Sequence, residues 1–392
     1  MNSVSKILKE HTMQIVLVLV VIFFSITTGG AILSPRNFEA LITQNAYVFI
    51  LATGMFMCML IKGNIDLSVG AVVCFVDAIG AHMMANMGVP VPLAMLAMVV
   101  VGCLIGTFLG WLIAYLDIPP WIATLAGFLA FRGWGTQIVT SVSTSASVPV
   151  NDVKGFVNLF NSHIPNIPGL GSDTFNVTSI IIGVVAVAIL VFSQIRSRAV
   201  KVKKGYDVES IVSMIVRCVI ISAVILLFAY KYAMTKGIPM VLVWVVAIVL
   251  IYDFISSKTT LGRYFYAMGG NMEATRLSGI DTKKILFFAY LNMQFLTVIA
   301  GWASLAKITA NSTIGTNYEL DAISACIVGG VSAYGGSGNI FGMVVGATLI
   351  GVINLGMSIM SIDPNWQKVV KGLVLLAAVV FEILNNKNKN KV

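Results

Sequence analysis

Apolar runs of about 20 residues, each long enough for a helix to cross the ~30 Å hydrocarbon layer of a bilayer, recur along the whole chain between short polar segments. In lipid every backbone N–H and C=O must be paired inside the protein, a condition a helix meets by itself. The pattern predicts spans near 14–33, 45–62, 68–87, 93–116, 121–139, 177–195, 211–230, 238–255, 285–305, 320–335, 339–360 and 367–385. The expected fold is all-α, a polytopic transmembrane helix bundle of about 12 hydrophobic segments forming one domain over residues 1–392. Composition agrees: 58% of the residues are hydrophobic and 10% charged, against about 25% charged in a soluble domain. That excludes an ordinary cytosolic enzyme and a disordered chain. The first span follows Lys6 and Lys9 and lacks an A-x-A cleavage pattern, so it is expected to be retained.

Lysine and arginine set the expected orientation. They gather at 196–210 (Arg196, Arg198, Lys201, Lys203, Lys204), at 256–284 (Lys258, Arg263, Arg276, Lys283, Lys284) and in the tail (Lys387, Lys389, Lys391). The positive-inside rule places all three, with the amino terminus, in the cytoplasm. Six, two and four spans fall between them, and every even interval is consistent. The net charge of +9 is thereby assigned to membrane orientation and not to a nucleic-acid partner. Cys58, Cys74, Cys103, Cys218 and Cys326 lie in apolar runs without C-x-x-C spacing and read as small apolar residues. His11, His82 and His163 form no H-E-x-x-H motif, and no metal site is expected.

Residues 140–176 form the longest expected extracytoplasmic loop, running from Thr140 through Pro149, Pro165, Pro168 and a Gly169–Gly171 turn. Its length suggests a docking surface or gate. The sequon Asn176-Val177-Thr178 carries little weight. Two weak points interrupt the spans: Gly63-Asn64-Ile65-Asp66, and the short stretch 320–335, which could be re-entrant. Gly102, Gly106 and Gly110, and again Gly338, Gly342 and Gly346, recur at i, i+4, i+8 and are expected to be helix-packing faces.

Charge inside a span is costly, about 2.5–3.5 kcal/mol for a central arginine on insertion scales. Arg132 and Asp77 are therefore expected to face the bundle interior or water, either lining a pathway or forming internal hydrogen bonds. Asp66, Asp253, Glu319 and Asp321 lie at span ends or breaks. No G-x-x-x-x-G-K-[ST] loop is present, so this chain is not expected to hydrolyse ATP. No catalytic cluster gathers at an interface either.

The segment Leu261–Ile280 reads as a short exposed helix. Gly269-Gly270 is expected to turn, Asn271 to cap, Glu273 to sit in the first turn and Gly279 to end it. Here the chain resembles the permease subunits of bacterial ABC importers for monosaccharides. Glu273-Ala274-Thr275 with Gly279 resembles their E-A-A-x-x-x-G coupling loop, with Thr275 in place of the second alanine. Asn64-Ile65-Asp66-Leu67-Ser68-Val69-Gly70 is similar to G-x-D-L-S-V-G. Glu319-Leu320-Asp321 through Gly329-Gly330 resembles the E-L-D block, and Trp366-Gln367 with Lys371-Gly372 resembles W-Q-x-x-x-K-G. The four matches run in family order from about residue 45 to the end.

The resemblance implies a homodimeric, multi-pass permease domain in the inner membrane of a bacterium. A separate ATPase subunit, using ATP and Mg, would drive alternating access, and an extracytoplasmic sugar-binding protein would deliver substrate. This chain itself would hold no cofactor. Gly269, Gly270, Asn271, Glu273, Ala274, Arg276 and Gly279 would couple it to the ATPase. Broken helices expose backbone groups to solutes, so Asn64, Asp66, Ser68, Asp77, Arg132, Glu319, Asp321 and Ser324 are candidate pathway residues, with tight packing as the alternative. Three spans between the outer loop and the coupling loop, with Leu125-Ala126-Gly127, Phe131-Arg132-Gly133 and Gly315-Thr316-Asn317-Tyr318, resemble the longer xylose-type and multiple-monosaccharide permeases. Xylose, arabinose, glucose or galactose are the implied substrates. A nucleoside or branched-chain amino-acid ABC permease, or an ion-coupled secondary sugar carrier, are the rivals. One carboxylate well inside a span is thin support for ion coupling.

Overall fold

The computed structural model describes residues 12–169, 172, 175–206, 208 and 210–389. Lys6, Lys9, His11, Gly171 and Lys391 lie outside them. The apolar runs form α1 (Thr12–Thr27), α2 (Pro35–Leu60), α3 (Val69–Ala81, extended by a π turn at His82–Asn86), α4 (Val91–Ala114) and α5 (Pro120–Val142). Prolines start α4 and α5, where a missing N–H costs nothing. The long loop holds β1 (Ser147–Val148) and α6 (Lys154–Asn161). Then follow α7 (Val177–Lys203), α8 (Ile211–Ala233), α9 (Met240–Lys258), α10 (Thr260–Gly270), α11 (Met272–Leu277) and α12 (Thr282–Lys307). The chain closes with β2 (Ala310–Asn311), α13 (Tyr318–Val328), α14 (Ile340–Ile359) and α15 (Pro364–Lys389).

Eight of these helices, α2, α3 with its π turn, α4, α7, α8, α9, α12 and α14, are long and apolar enough to cross a membrane. The expected span 320–335 is instead an 11-residue helix, α13, followed by turns. At 1.5 Å per residue it reaches only about 16 Å, half a bilayer core. The expected coupling loop 256–284 is almost wholly helical, because Thr259, Asn271 and Asp281 each cap a new helix with a side-chain oxygen. No described cysteine is in a disulfide: Cys58, Cys74 and Cys326 are buried, Cys103 and Cys218 half-buried.

Packing within the chain forms two compact units. Of the described residues the larger comprises 12–32, 41–161 and 241–389. Within it α4 packs along α12, α3 lies against α5 and α12, and α13 packs on α14. β1 pairs antiparallel with β2 through Ser147↔Asn311, tying the long loop to the segment before α13. The smaller unit comprises 33–40 and 162–240. There α7 and α8 meet at Gly183, where a Cβ would stand 2.4 Å from that of Ala229. Phe38, Phe228 and Tyr232 form an aromatic cluster, and His163 Nε2 lies 2.7 Å from Glu39 Oε1. The sequon residue Asn176 is 5% exposed; its side chain caps α7 and donates to the Ile164 carbonyl at 3.0 Å.

Candidate functional site

The short helix α11 presents most of its surface. Asn271 Oδ1 accepts from the Ala274 N–H at 3.0 Å, and Glu273 pairs with Arg276 at 2.9 Å while both stay largely exposed. Thr275 alone turns inward, 5% exposed. Gly279 follows at φ +85°, a conformation glycine adopts freely. Its N–H bonds the Arg276 carbonyl and the next, from Ile280, bonds Thr275, the paired bonds of a Schellman end. Leu277, 83% exposed, projects from this end. The sequence reading did not single it out, although an apolar residue beside Arg276 on so short a helix was the available signal.

The expected turn at Gly269-Gly270 is not there: both residues finish α10, and the chain breaks at Asn271, whose backbone is extended. Gly269 serves a different purpose. A Cβ on it would lie 2.0 Å from the Leu60 carbonyl oxygen and 2.2 Å from the Gly336 nitrogen. Those two groups are themselves joined by a 2.9 Å hydrogen bond from Gly336 N–H. Tyr266, one turn earlier, donates to the Gly338 carbonyl at 2.8 Å, and partial burial, with Asp253 adding, pushes its phenol pKa up. Gly63 and Gly335 complete the contact against Ala333 O and Lys62 N. The end of α10, the end of α2 and the turn before α14 therefore meet backbone to backbone.

Beyond that junction the first break is pinned from inside. Asp66 Oδ1 accepts from Ser68 N–H at 2.8 Å and Ser68 Oγ at 2.6 Å. Its Oδ2 accepts from Gln294 Nε2 at 2.7 Å. Asp66, Ser68 and Gln294 are all fully buried, and Asn64 sits half-exposed in the turn above them. Gln294, on α12, is a partner that sequence spacing does not reveal.

The second break meets the first. A Cβ on Gly70 would stand 2.2 Å from the Gly315 carbonyl oxygen and 2.3 Å from Glu319 Oε2. Glu319 Oε2 has no hydrogen-bond partner, nor does either carboxyl oxygen of the fully buried Asp77, which lies against Gly301 of α12. Arg132 Nη1 donates to the Ile314 carbonyl at 2.6 Å, reaching from α5 to the segment before α13. Asp321 is held by Lys371 of α15 at 3.0 Å and by the Tyr47 hydroxyl at 2.6 Å. Tyr47 stacks on Tyr318 with ring centroids 3.6 Å apart. Ser324 is buried farther along α13. The E-L-D and W-Q-x-x-x-K-G stretches, some 50 residues apart, thus meet in one ion pair. The clue to Lys371 and Tyr47 was a charge and a hydroxyl within apolar runs.

The first glycine stripe lies against α12. A Cβ on Gly102 would meet Val298 at 2.2 Å, one on Gly106 would meet Leu291 at 2.9 Å, and one on Gly110 would meet the Phe287 carbonyl at 2.9 Å. Gly342 and Gly346 bring α14 equally close to the Gly329 and Ala325 carbonyls of α13 and its cap. Gly338 does not continue that stripe: it precedes α14 with φ +139°, because Asn339 begins the helix by capping Gly342 N–H. Among the described residues no group of three or more His, Cys, Asp or Glu side chains could hold a metal ion.

The chain is similar along most of its length to known permease proteins. The xylose transport system permease protein XylH of Haemophilus influenzae is 32% identical over 381 residues, covering 97% of both chains. That of Escherichia coli is 33% identical over 373 residues, 95% of this chain and 91% of the relative. The galactose/methyl galactoside import permease protein MglC of Haemophilus influenzae is 27% identical over 401 residues, covering 99% and 98%. No solved structure matches. Residues 37–379 match the family model described as branched-chain amino acid transport system / permease component, and the chain belongs to that family.

Proposed function

We propose that this chain is the membrane-spanning permease of an ATP-driven monosaccharide importer, with an aldopentose such as xylose as its cargo. The observation that carries the reading is end-to-end likeness to xylose permeases at 32–33% identity, above the 27–29% shared with galactose and ribose permeases. The family description mentions branched-chain amino acids, but an amino acid brings a carboxylate and an ammonium. Two of the four buried carboxylates, Asp66 and Asp321, are already taken by Gln294 and Lys371, and among the described residues no lysine or arginine is buried to receive an amino-acid carboxylate. A sugar asks only for neutral hydrogen-bonding groups.

In this reading α11 docks in a cleft of a separate ATPase subunit, through Glu273, Ala274, Arg276, Leu277 and the Gly279 end. A rigid, capped helix turns closure of the ATPase into displacement of α10 and α12. A sugar-binding protein delivers the substrate at the side opposite the basic segments, both termini are cytoplasmic, and two copies of the chain enclose the path through the breaks at 64–70 and 315–330. The deciding experiment is uptake of radiolabelled xylose into proteoliposomes holding this chain, its co-purifying ATPase and a sugar-binding protein. ATP-dependent uptake that vanishes without the binding protein is expected. Uptake by the chain alone on an ion gradient would overturn the reading in favour of a secondary carrier.

A further inference from the structure

The α7–α8 hairpin carries a feature that the transport reading leaves unused. At its basic end Arg198 and Lys201 of α7 and Arg217 of α8 line one cavity of about 250 Å³. Ser197 adds a hydroxyl, and Val208 and Met214 supply an apolar wall. The positive-inside rule accounts for basic residues in a connecting loop. It does not account for Arg217, which lies in the second turn of α8, within the apolar run. Nor does it make cations from two helices converge.

We infer that this cavity binds the phosphodiester headgroup of an anionic phospholipid. Basic pockets between membrane helices hold such headgroups, and two guanidiniums suit phosphate oxygens because each presents a fork of N–H donors. Both arginines also have partners within the protein, and a guanidinium's five N–H groups serve several acceptors at once. The connecting segment contributes Asp207 and Glu209, but residues 194–217 hold six basic side chains against these two acids.

The surroundings favour a lipid over free phosphate. The two helices are mostly exposed along their apolar lengths: none of the most apolar stretch of α8 and 11% of that of α7 is buried. Immediately beside the cavity, Ile211, Val212 and Ile215 are 51–70% exposed. Their aliphatic surface continues from the charged mouth along α8, a track for an acyl chain.

The test uses the full-length protein in nanodiscs of equal parts phosphatidylglycerol and phosphatidylcholine, then extracts it in mild detergent and counts retained lipids by native mass spectrometry. Phosphatidylglycerol is expected to be retained in excess. Removing a charge is expected to lower that retention about five-fold, hence roughly 25-fold for Arg198→Gln with Arg217→Gln. Lys201→Gln, at an exposed position where no packing is disturbed, tests a single charge with the fold intact. Equal retention of the two lipids, or unchanged retention in Lys201→Gln and in a double variant that elutes normally, would overturn the inference. Displacement of the lipid by inorganic phosphate would reassign the cavity to a free anion and overturn the lipid proposal as well.

Discussion

Gly269→Ala and Gly270→Ala add the same methyl group to adjacent residues at the end of α10, and the structure predicts opposite results. At Gly269 the new Cβ would sit 2.0 Å from the Leu60 oxygen and 2.2 Å from the Gly336 nitrogen. Ordinary carbon contacts begin near 3.5 Å, so the junction has to open by more than ~1 Å. Overpacking of this kind costs about 1–3 kcal/mol. Losing the 2.9 Å Leu60–Gly336 hydrogen bond adds about 1 kcal/mol. The sum, about 2–4 kcal/mol, corresponds to a melting temperature lower by on the order of 5 °C. At Gly270 nothing lies within 4 Å, and exchanging a helical glycine for alanine is neutral or stabilising by up to about 1 kcal/mol. Thermal unfolding in detergent, read by a thiol-reactive dye at the buried Cys58, Cys74 and Cys326, measures both. With the ATPase present, Gly269→Ala is further expected to lose uptake while retaining ATP hydrolysis. Equal melting temperatures and equal uptake in the two variants would refute the junction as a mechanical link.

Gly279→Leu forces a branched side chain into φ +85° at a cost of about 1–2 kcal/mol; ATP hydrolysis by the assembled complex should continue while uptake falls, and full transport would count against α11 as the docking helix. Lys371→Met leaves the buried Asp321 with Tyr47 as its remaining partner and should destabilise by about 3–5 kcal/mol. Adding Asp321→Asn should recover most of that loss, and additive effects in the double-mutant cycle would show that the pair is not coupled. Arg132→Leu removes the charged donor to Ile314, worth about 1.5–3 kcal/mol, and should depress uptake at normal protein levels; unchanged uptake would exclude Arg132 from the pathway.

Helix positions were readable because lipid imposes a length and a polarity on each run, and α4, α8 and α9 fall within a few residues of the expected spans. Local chemistry was readable for the same kind of reason: Asn271 caps and Gly279 terminates through bonds made within one turn. What the sequence hid is non-local. Gly269 looked like half of a turn, yet its lack of a side chain is required by Leu60 and Gly336, 209 and 67 residues away along the chain. Asp66 and Asp321 looked like equivalent pathway carboxylates. Only the fold shows that one is saturated by Ser68 and Gln294 and the other by Lys371 and Tyr47. Gly338 shared a four-residue spacing with Gly342 by coincidence, since Asn339 begins the helix between them.

These locked carboxylates bear on how the molecule can be driven. Proton relays in carriers run through acids that exchange partners; Asp66 and Asp321 are held in place by neighbours on other helices, which leaves Asp77 and Glu319 as the buried acids with oxygens free of a hydrogen-bond partner. The contacts that hold the breaks together elsewhere are glycine backbone contacts: Gly70 on Gly315, Gly63 on Ala333 and Gly269 on Leu60. Such contacts carry no charge of their own and respond to displacement, and a carboxyl oxygen, Glu319 Oε2, borders the one at Gly70. The Gly269 junction joins the segment bearing α11 to the end of α2 directly before the Asp66 break, and through Gly336 to the turn after α13. A force applied at α11 therefore reaches both broken helices at once, over a path of backbone atoms with no flexible side chain between.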